Sequence, residues 1–176
     1  AFGRKAPLIC EIGFGMGQTF IEQAINNPEN NYLGIEVHQP GVGNVLAQTL
    51  EHNLKNVRVI SEDAIKVLTQ AIFDETLSEV LLYFPDPWHK KRHQKRRIVQ
   101  PDFVKLIYDK LEPHGKWRLA TDWENYAEHM KDVITQSELF MDISEKYDTI
   151  ARSETKFESR GKRLGHQIWD FAFQKR

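Results

Sequence analysis

The chain has 176 residues, about one domain's worth, and a core of that size holds without disulfides. Hydrophobic residues at 40% and charged residues at 28% are ordinary globular usage, the apolar runs fall far short of a membrane span, and the single cysteine, Cys10, excludes a disulfide framework or a cysteine-rich metal site. The net charge of −1 hides an asymmetry: residues 1–88 carry 5 Lys+Arg against 11 Asp+Glu, whereas residues 89–176 carry 19 against 14, so the second half has a basic surface to offer a partner. Nothing at the start argues for secretion. The chain begins at Ala1 rather than Met, close before a strong apolar run, and the expectation is a single domain over 1–176 that lacks an N-terminal segment.

Apolar spacing predicts the elements in chain order. Residues 8–12 read as a buried strand and 17–27 as a helix with Phe20, Ile21, Ala24 and Ile25 on one face, ended by Asn27-Pro28-Glu29-Asn30. A strand over 32–36, a helix over 42–52, a strand over 57–60 and a short helix over 64–72 follow. Residues 80–84 form a fourth strand, stopped by Pro85 and Pro87. A helix over 102–111 ends at Pro113-His114-Gly115, and a fifth strand over 116–120 leads into a helix over 123–136. The last two strands are 140–144 and 168–173, the latter with Ile168, Asp170, Ala172 and Gln174 facing away from Trp169, Phe171 and Phe173. Strand–helix alternation through five units means an α/β fold with a mostly parallel sheet, and two late strands predict an antiparallel hairpin at one edge. Two long, polar, base-rich stretches break the pattern, 85–100 and 148–166.

In open α/β sheets ligands sit beyond the carboxyl ends of the strands, so the residues after each strand are read first. After the first strand comes Glu11-Ile12-Gly13-Phe14-Gly15-Met16-Gly17. Glycines at 13, 15 and 17 allow a tight turn and close approach of a ligand. Their G-x-G-x-G spacing departs from the G-x-G-x-x-G of dinucleotide sites, and Glu11 is poor company for a pyrophosphate. It suits a cationic ammonium or sulfonium, as in S-adenosylmethionine. Glu36, at the end of the second strand, is placed to accept both ribose hydroxyls, a role that also serves NAD. Asp63, after the third, is placed to accept from an adenine amino group. A nicotinamide-dependent oxidoreductase explains Glu36 and the glycines but not Glu11.

Asp86 lies between two prolines in the stiff loop after the fourth strand. Lys90, Lys91, Arg92, Lys95, Arg96 and Arg97 then give six positive charges without an acid among them. Such a run is often a solvated loop, but Trp88 beside it offers a face for a base, and several Lys and Arg together are what phosphates require. Thr121-Asp122-Trp123 follows the fifth strand, where Thr121 or Asp122 serves either as a helix cap or as a site residue. The late stretch adds Arg152, Lys156, Arg160, Lys162 and Arg163, a second contact surface or a flap. His89 and His93 sit in a basic run that repels a cation, so no metal site is expected. No nucleophile elbow is present, and Cys10 lies inside a strand. A catalytically inactive RNA-binding subunit is an alternative of another class.

Taken together, Glu11–Gly17, Gly34-Ile35-Glu36-Val37-His38, Phe84-Pro85-Asp86-Pro87-Trp88-His89-Lys90, Lys95-Arg96-Arg97, Thr121-Asp122-Trp123 and Thr155-Lys156-Phe157-Glu158 resemble the bacterial tRNA (guanine-N7-)-methyltransferases of the TrmB type, from about residue 8 to the end. The resemblance implies a Rossmann-like S-adenosylmethionine-dependent methyltransferase fold with a mostly parallel seven-stranded sheet. It implies methyl transfer to N7 of a guanine in the variable loop of tRNA, at position 46 in tRNA numbering. It places Glu11, Gly13, Gly15, Gly17, Glu36 and Asp63 at the methyl donor and Asp86 at the reacting centre. Lys90, Asp122, Thr155, Lys156, Phe157 and Glu158 would contact substrate, and Lys95, Arg96 and Arg97 the tRNA backbone. A cytoplasmic enzyme follows, and with no long apolar stripe left over, a monomer is expected.

Overall fold

The computed structural model describes residues 1–147, 159, 163, 165 and 167–176. Strands β1 (Leu8–Ile12), β2 (Asn31–Ile35), β3 (Val57–Ile60), β4 (Leu77–Tyr83), β5 (Leu111–Thr121), β6 (Phe140–Asp142) and β7 (Trp169–Lys175) form one sheet in the order β3-β2-β1-β4-β5-β7-β6. The first five are mutually parallel; β7 runs antiparallel to both β5 and β6. Helices α1 (Gln18–Asn26), α2 (Gln39–Glu51), α3 (Ala64–Gln70), α4 (Pro101–Lys110) and α5 (Glu124–Gln136) make the crossovers. The expected α/β architecture and its antiparallel edge hairpin are both present.

Both faces of the sheet are covered, which is why β2 is buried at every residue. One core gathers Trp117, Phe103, Ile107, Tyr126 and Met130. The other gathers Phe14, Phe20, Tyr32 and Val45. Strand order reverses between β1 and β4, so a crevice opens where the chain leaves these two neighbours. Gly13 follows one and Phe84 the other.

Several boundaries differ from the sequence reading for local reasons. Helix α2 begins at Gln39, three residues early, because Pro40 occupies its first turn, where a missing N–H costs nothing. Strand β4 begins at Leu77, which is fully buried. Strand β5 begins at Leu111: the pairing steps from Leu77↔Leu111 to Glu79↔Lys116, so Glu112-Pro113-His114-Gly115 bulge out of the strand rather than precede it. In β7, Ala172 is fully buried, which corrects the expected outward set at that position; the strand lies between β5 and β6, which pair with its two edges. Residues 91–96 form a 3-10 turn inside the basic loop, where no regular element was expected.

Candidate active site

The glycine turn is built by left-handed backbone. Gly13, Gly15 and Gly17 have φ of 73°, 59° and 76°, the region that side chains resist. Gly17 is the N-cap of α1, and a Cβ there would meet Val45 at 2.0 Å, so packing against α2 requires glycine as well. Glu11 is 3% exposed within β1, directly beneath the turn. Burial, with the nearby Glu11 charge second, pushes the Cys10 thiol up to about 12.

Glu36 leaves β2 and organises this turn. Its Oε2 accepts from the Gly15 amide at 2.7 Å, and its Oε1 accepts from Val37 N at 2.7 Å and His38 N at 3.0 Å. A carboxylate has about four acceptor sites. With three in use, one ribose hydroxyl fits directly and a second competes with a backbone N–H. Asp63 is the N-cap of α3 and its Oδ1 accepts from Lys66 N at 3.0 Å, so it caps a helix while standing exposed after β3. Gly41, on α2, closes the turn from the other side. A Cβ there would lie 1.8 Å from the Gly15 carbonyl oxygen. Sequence reading missed Gly41, which it left just before the helix; in the structure it lies in the first turn of α2.

Strands β4 and β5 end in register, Tyr83 opposite Ala120, and the Phe84 amide donates to the Ala120 carbonyl at 2.8 Å. Asp86 and Asp122 therefore leave adjacent strands at the same level. The first loop turns sharply: Phe84 and Trp88 have φ of 50° and 46°, and Asp86 Oδ1 accepts from Trp88 N at 3.1 Å. The loop then folds over the start of α5, with the His89 ring 4.2 Å from that of Trp123. Lys90 is exposed just before the 3-10 turn. Helix α5 has no side-chain cap bond; Thr121 Oγ1 accepts from Trp123 N at 3.3 Å, and Asp122 does not cap.

The basic run divides. Lys91, Arg92, Lys95 and Arg96 are exposed, with the Arg96 guanidinium 5.0 Å from the Trp88 ring centre, over a face expected to receive a base. Arg97 departs from the expected backbone-contact trio: it is 2% exposed and bonded inward. Its Nε donates to Pro87 O and its Nη2 to Asn125 Oδ1, both at 2.8 Å, and it lies 4.7 Å from the Tyr126 ring centre. Asn125 and Tyr126 carried no sequence signal beyond lying on a helix.

Beside Asp122 a cavity of about 310 Å³ is lined by Asp122, Trp123, Glu124, Asn125, Gln167 and Trp169. It is apolar on its tryptophan walls and acidic at Asp122, a setting that fits a purine. Thr155, Lys156, Phe157 and Glu158 lie outside the described residues. The glycine turn, the buried Glu11 and the Glu36 carboxylate fit a nucleoside-bearing cationic donor.

Comparison with known proteins gives this geometry its context. A protein family described as "Putative methyltransferase" matches residues 5–171. A protein of Idiomarina loihiensis named tRNA (guanine-N(7)-)-methyltransferase is 52% identical over 177 residues, covering 98% of this chain and 72% of that protein. One of Mannheimia succiniciproducens with the same name is also 52% identical, over 99% of this chain and 72% of that protein. In fold, the chain is similar to the aminoglycoside resistance methyltransferase NpmB1, with a TM-score of 0.67 at 12% identity over 99% of this chain and 90% of that one. It is equally close in fold to the 16S rRNA methyltransferase KamB, with a TM-score of 0.67 at 11% identity over 96% and 87%. With half its residues shared over nearly its whole length with proteins so named, the chain belongs to the tRNA (guanine-N7-)-methyltransferase family.

Proposed function

We propose that this chain transfers a methyl group from S-adenosylmethionine to N7 of a guanine in the variable loop of tRNA, with Asp86 at the reacting centre. Support comes chiefly from one observation: two carboxylates, Asp86 and Asp122, leave neighbouring in-register strands beside the crevice that the glycine turn opens. Membership of a methyltransferase family removes the ground for a nicotinamide cofactor.

Bound S-adenosylmethionine supplies an electrophilic methyl group on a positively charged sulfur. Glu11 sets a buried negative charge beneath the turn that receives the donor's cationic end. Glu36 accepts from a ribose hydroxyl while holding Gly15, and Asp63 accepts from the adenine amino group. Guanine N7 already has a lone pair in its plane, so no proton leaves before attack and no general base is needed. The protein's work is alignment, worth about 7–11 kcal/mol when the reacting atoms are held in line. As positive charge moves onto the purine, the N1–H and 2-amino edge becomes a stronger donor. A carboxylate there selects guanine and stabilises the developing charge. Asp86 has that role, with Asp122 second and Lys90 and residues 155–158 contacting substrate.

Lys95 and Arg96 meet the tRNA backbone. The enzyme acts as a monomer in the cytoplasm. Among the described residues no helix is long and apolar enough to cross a membrane. Incubation of the full-length protein with donor and unmodified tRNA, followed by nucleoside mass spectrometry, tests the reading. N7-methylguanosine in the variable loop is the expected product; no methylated nucleoside would favour an inactive RNA-binding subunit. An Asp86→Asn variant with full turnover and normal tRNA binding would remove Asp86 from its role.

A further inference from the structure

Arg97 is the last of six cations in a run otherwise turned to solvent, yet it points into the protein. A surface loop gains nothing by burying a guanidinium unless the group holds something in place, because desolvating it is costly. Burial draws its pKa below the ordinary arginine value, opposed by the Tyr126 hydroxyl. What it holds is specific. Nε donates to the carbonyl of Pro87, the residue after Asp86. Nη2 donates to Oδ1 of Asn125, three residues after Asp122, and the same oxygen accepts from Gln94 Nε2 at 3.1 Å. The guanidinium carbon lies 4.7 Å from the ring centre of Tyr126, whose hydroxyl is pushed up to about 12 by burial and whose surroundings include the Asp86 charge.

We propose that Arg97 is a positioning residue for methyl transfer, a clamp that fixes the Asp86 loop to the first turn of α5 and so sets the relation of Asp86 to Asp122, and that it is not a ligand of tRNA phosphate. The inference rests on the assignment of these two carboxylates to the purine. A planar fork with two bonds in different directions does what a lysine cannot, so charge alone does not substitute. The Asp86 loop carries two left-handed residues, Phe84 and Trp88, and such backbone persists only when its surroundings over-determine it.

The test compares Arg97→Ala, Arg97→Lys and Arg96→Ala in the full-length enzyme, measuring kcat, donor affinity and the salt dependence of tRNA binding. For Arg97→Ala the expectation is a fall in kcat of about 100-fold, the order reached when reacting groups shift by 1 Å. Donor affinity and the salt slope stay at wild-type values, and millimolar guanidinium restores part of kcat. Arg97→Lys stays within a few fold of Arg97→Ala. Arg96→Ala lowers the salt slope by about 1. A slope reduced by Arg97→Ala would make Arg97 a phosphate ligand, and an unchanged kcat would remove the clamp.

Should Arg97→Ala not fold, Asn125→Leu must lower kcat and Asn125→Asp, which keeps the acceptor, must restore it. Equal activity of those two would also overturn the inference. A wild-type enzyme that forms no N7-methylguanosine would instead defeat the assignment of function on which it rests.

Discussion

Gly41 packs against Gly15 so closely that a Cβ on Gly41 would lie 1.8 Å from the Gly15 carbonyl oxygen. The obstacle is backbone, so no rotamer change relieves it. Gly41→Ala must move either the start of α2 or the glycine turn, at about 1–3 kcal/mol, and weaken donor binding at least tenfold. Gly43, two residues on in the same helix, has nothing within 4 Å of its Cβ position. Gly43→Ala should therefore raise stability by about 0.4–1 kcal/mol with donor affinity unchanged. Urea unfolding and calorimetric titration with S-adenosylhomocysteine read both. Matching behaviour of the two variants would mean that the contact with Gly15 is unimportant.

Glu36 does more than await a ribose. Three backbone amides converge on its carboxylate, one of them from Gly15. Glu36→Gln keeps the size but turns an NH₂ toward an N–H on one side or the other. Losing a hydrogen bond to a charged acceptor costs about 1.5–3 kcal/mol, which corresponds to a fall in donor affinity of roughly tenfold to a hundredfold. Affinity for tRNA alone should not change, because Glu36 lies on the other side of the switch point from the basic loop. Filter binding of tRNA without donor checks that half.

Cys10 and Tyr126 lower stability at alkaline pH, in the same direction as the hydroxyls of Tyr32 and Tyr147, whose pKa values burial also raises. Burial raises the Cys10 thiol from its ordinary 9.0 to about 12 and the Tyr126 hydroxyl from 10.0 to about 12. Between those values the unfolded chain has released protons that the folded chain still holds. Stability is therefore full below pH 9 and falls as pH rises toward 12. Cys10→Ala should make the loss above pH 9 shallower in urea titrations at stepped pH. The native thiol should also resist a disulfide reagent at pH 8 and react on unfolding. Prompt labelling of the folded protein would contradict its burial.

How far the sequence spoke depends on the range of the interaction. The glycine turn, the acids closing β1, β2 and β3, and the crossover pattern are local, and periodicity with turn chemistry reveals them. Gly41 against Gly15 and Arg97 on Asn125 join residues 26 and 28 positions apart, a distance over which one sequence carries no pairing information. Arg97 shows the point best. Beside Lys95 and Arg96 it is one more cation; its inward turn is decided by Pro87, Asn125 and Tyr126, which only the fold brings to it. The bulge at 112–115 was likewise hidden, because Pro113 and Gly115 mark a break equally well before a strand or within one.

The charge asymmetry of the two halves predicts a measurable division of labour on the basic loop. Lys95 and Arg96 are exposed on the 3-10 turn, and in their described surroundings Arg96 rests on Trp88 rather than on an acid. A phosphate that replaces solvent around them releases condensed counterions, and each neutralised phosphate adds about 0.7–0.9 to the slope of log affinity against log salt. The double variant Lys95→Ala/Arg96→Ala should flatten that slope by about 1.4–1.8 and weaken tRNA binding most at low salt. Donor affinity should be unaffected, since the donor-site residues belong to or follow β1, β2 and β3, whereas the turn follows β4. Fluorescence anisotropy with labelled tRNA over a salt series gives the slope directly. A parallel downward shift at all salt concentrations, with the slope intact, would mean that the two side chains act through loop geometry and not through phosphate, and the basic half would then owe its tRNA surface to the stretch before β7.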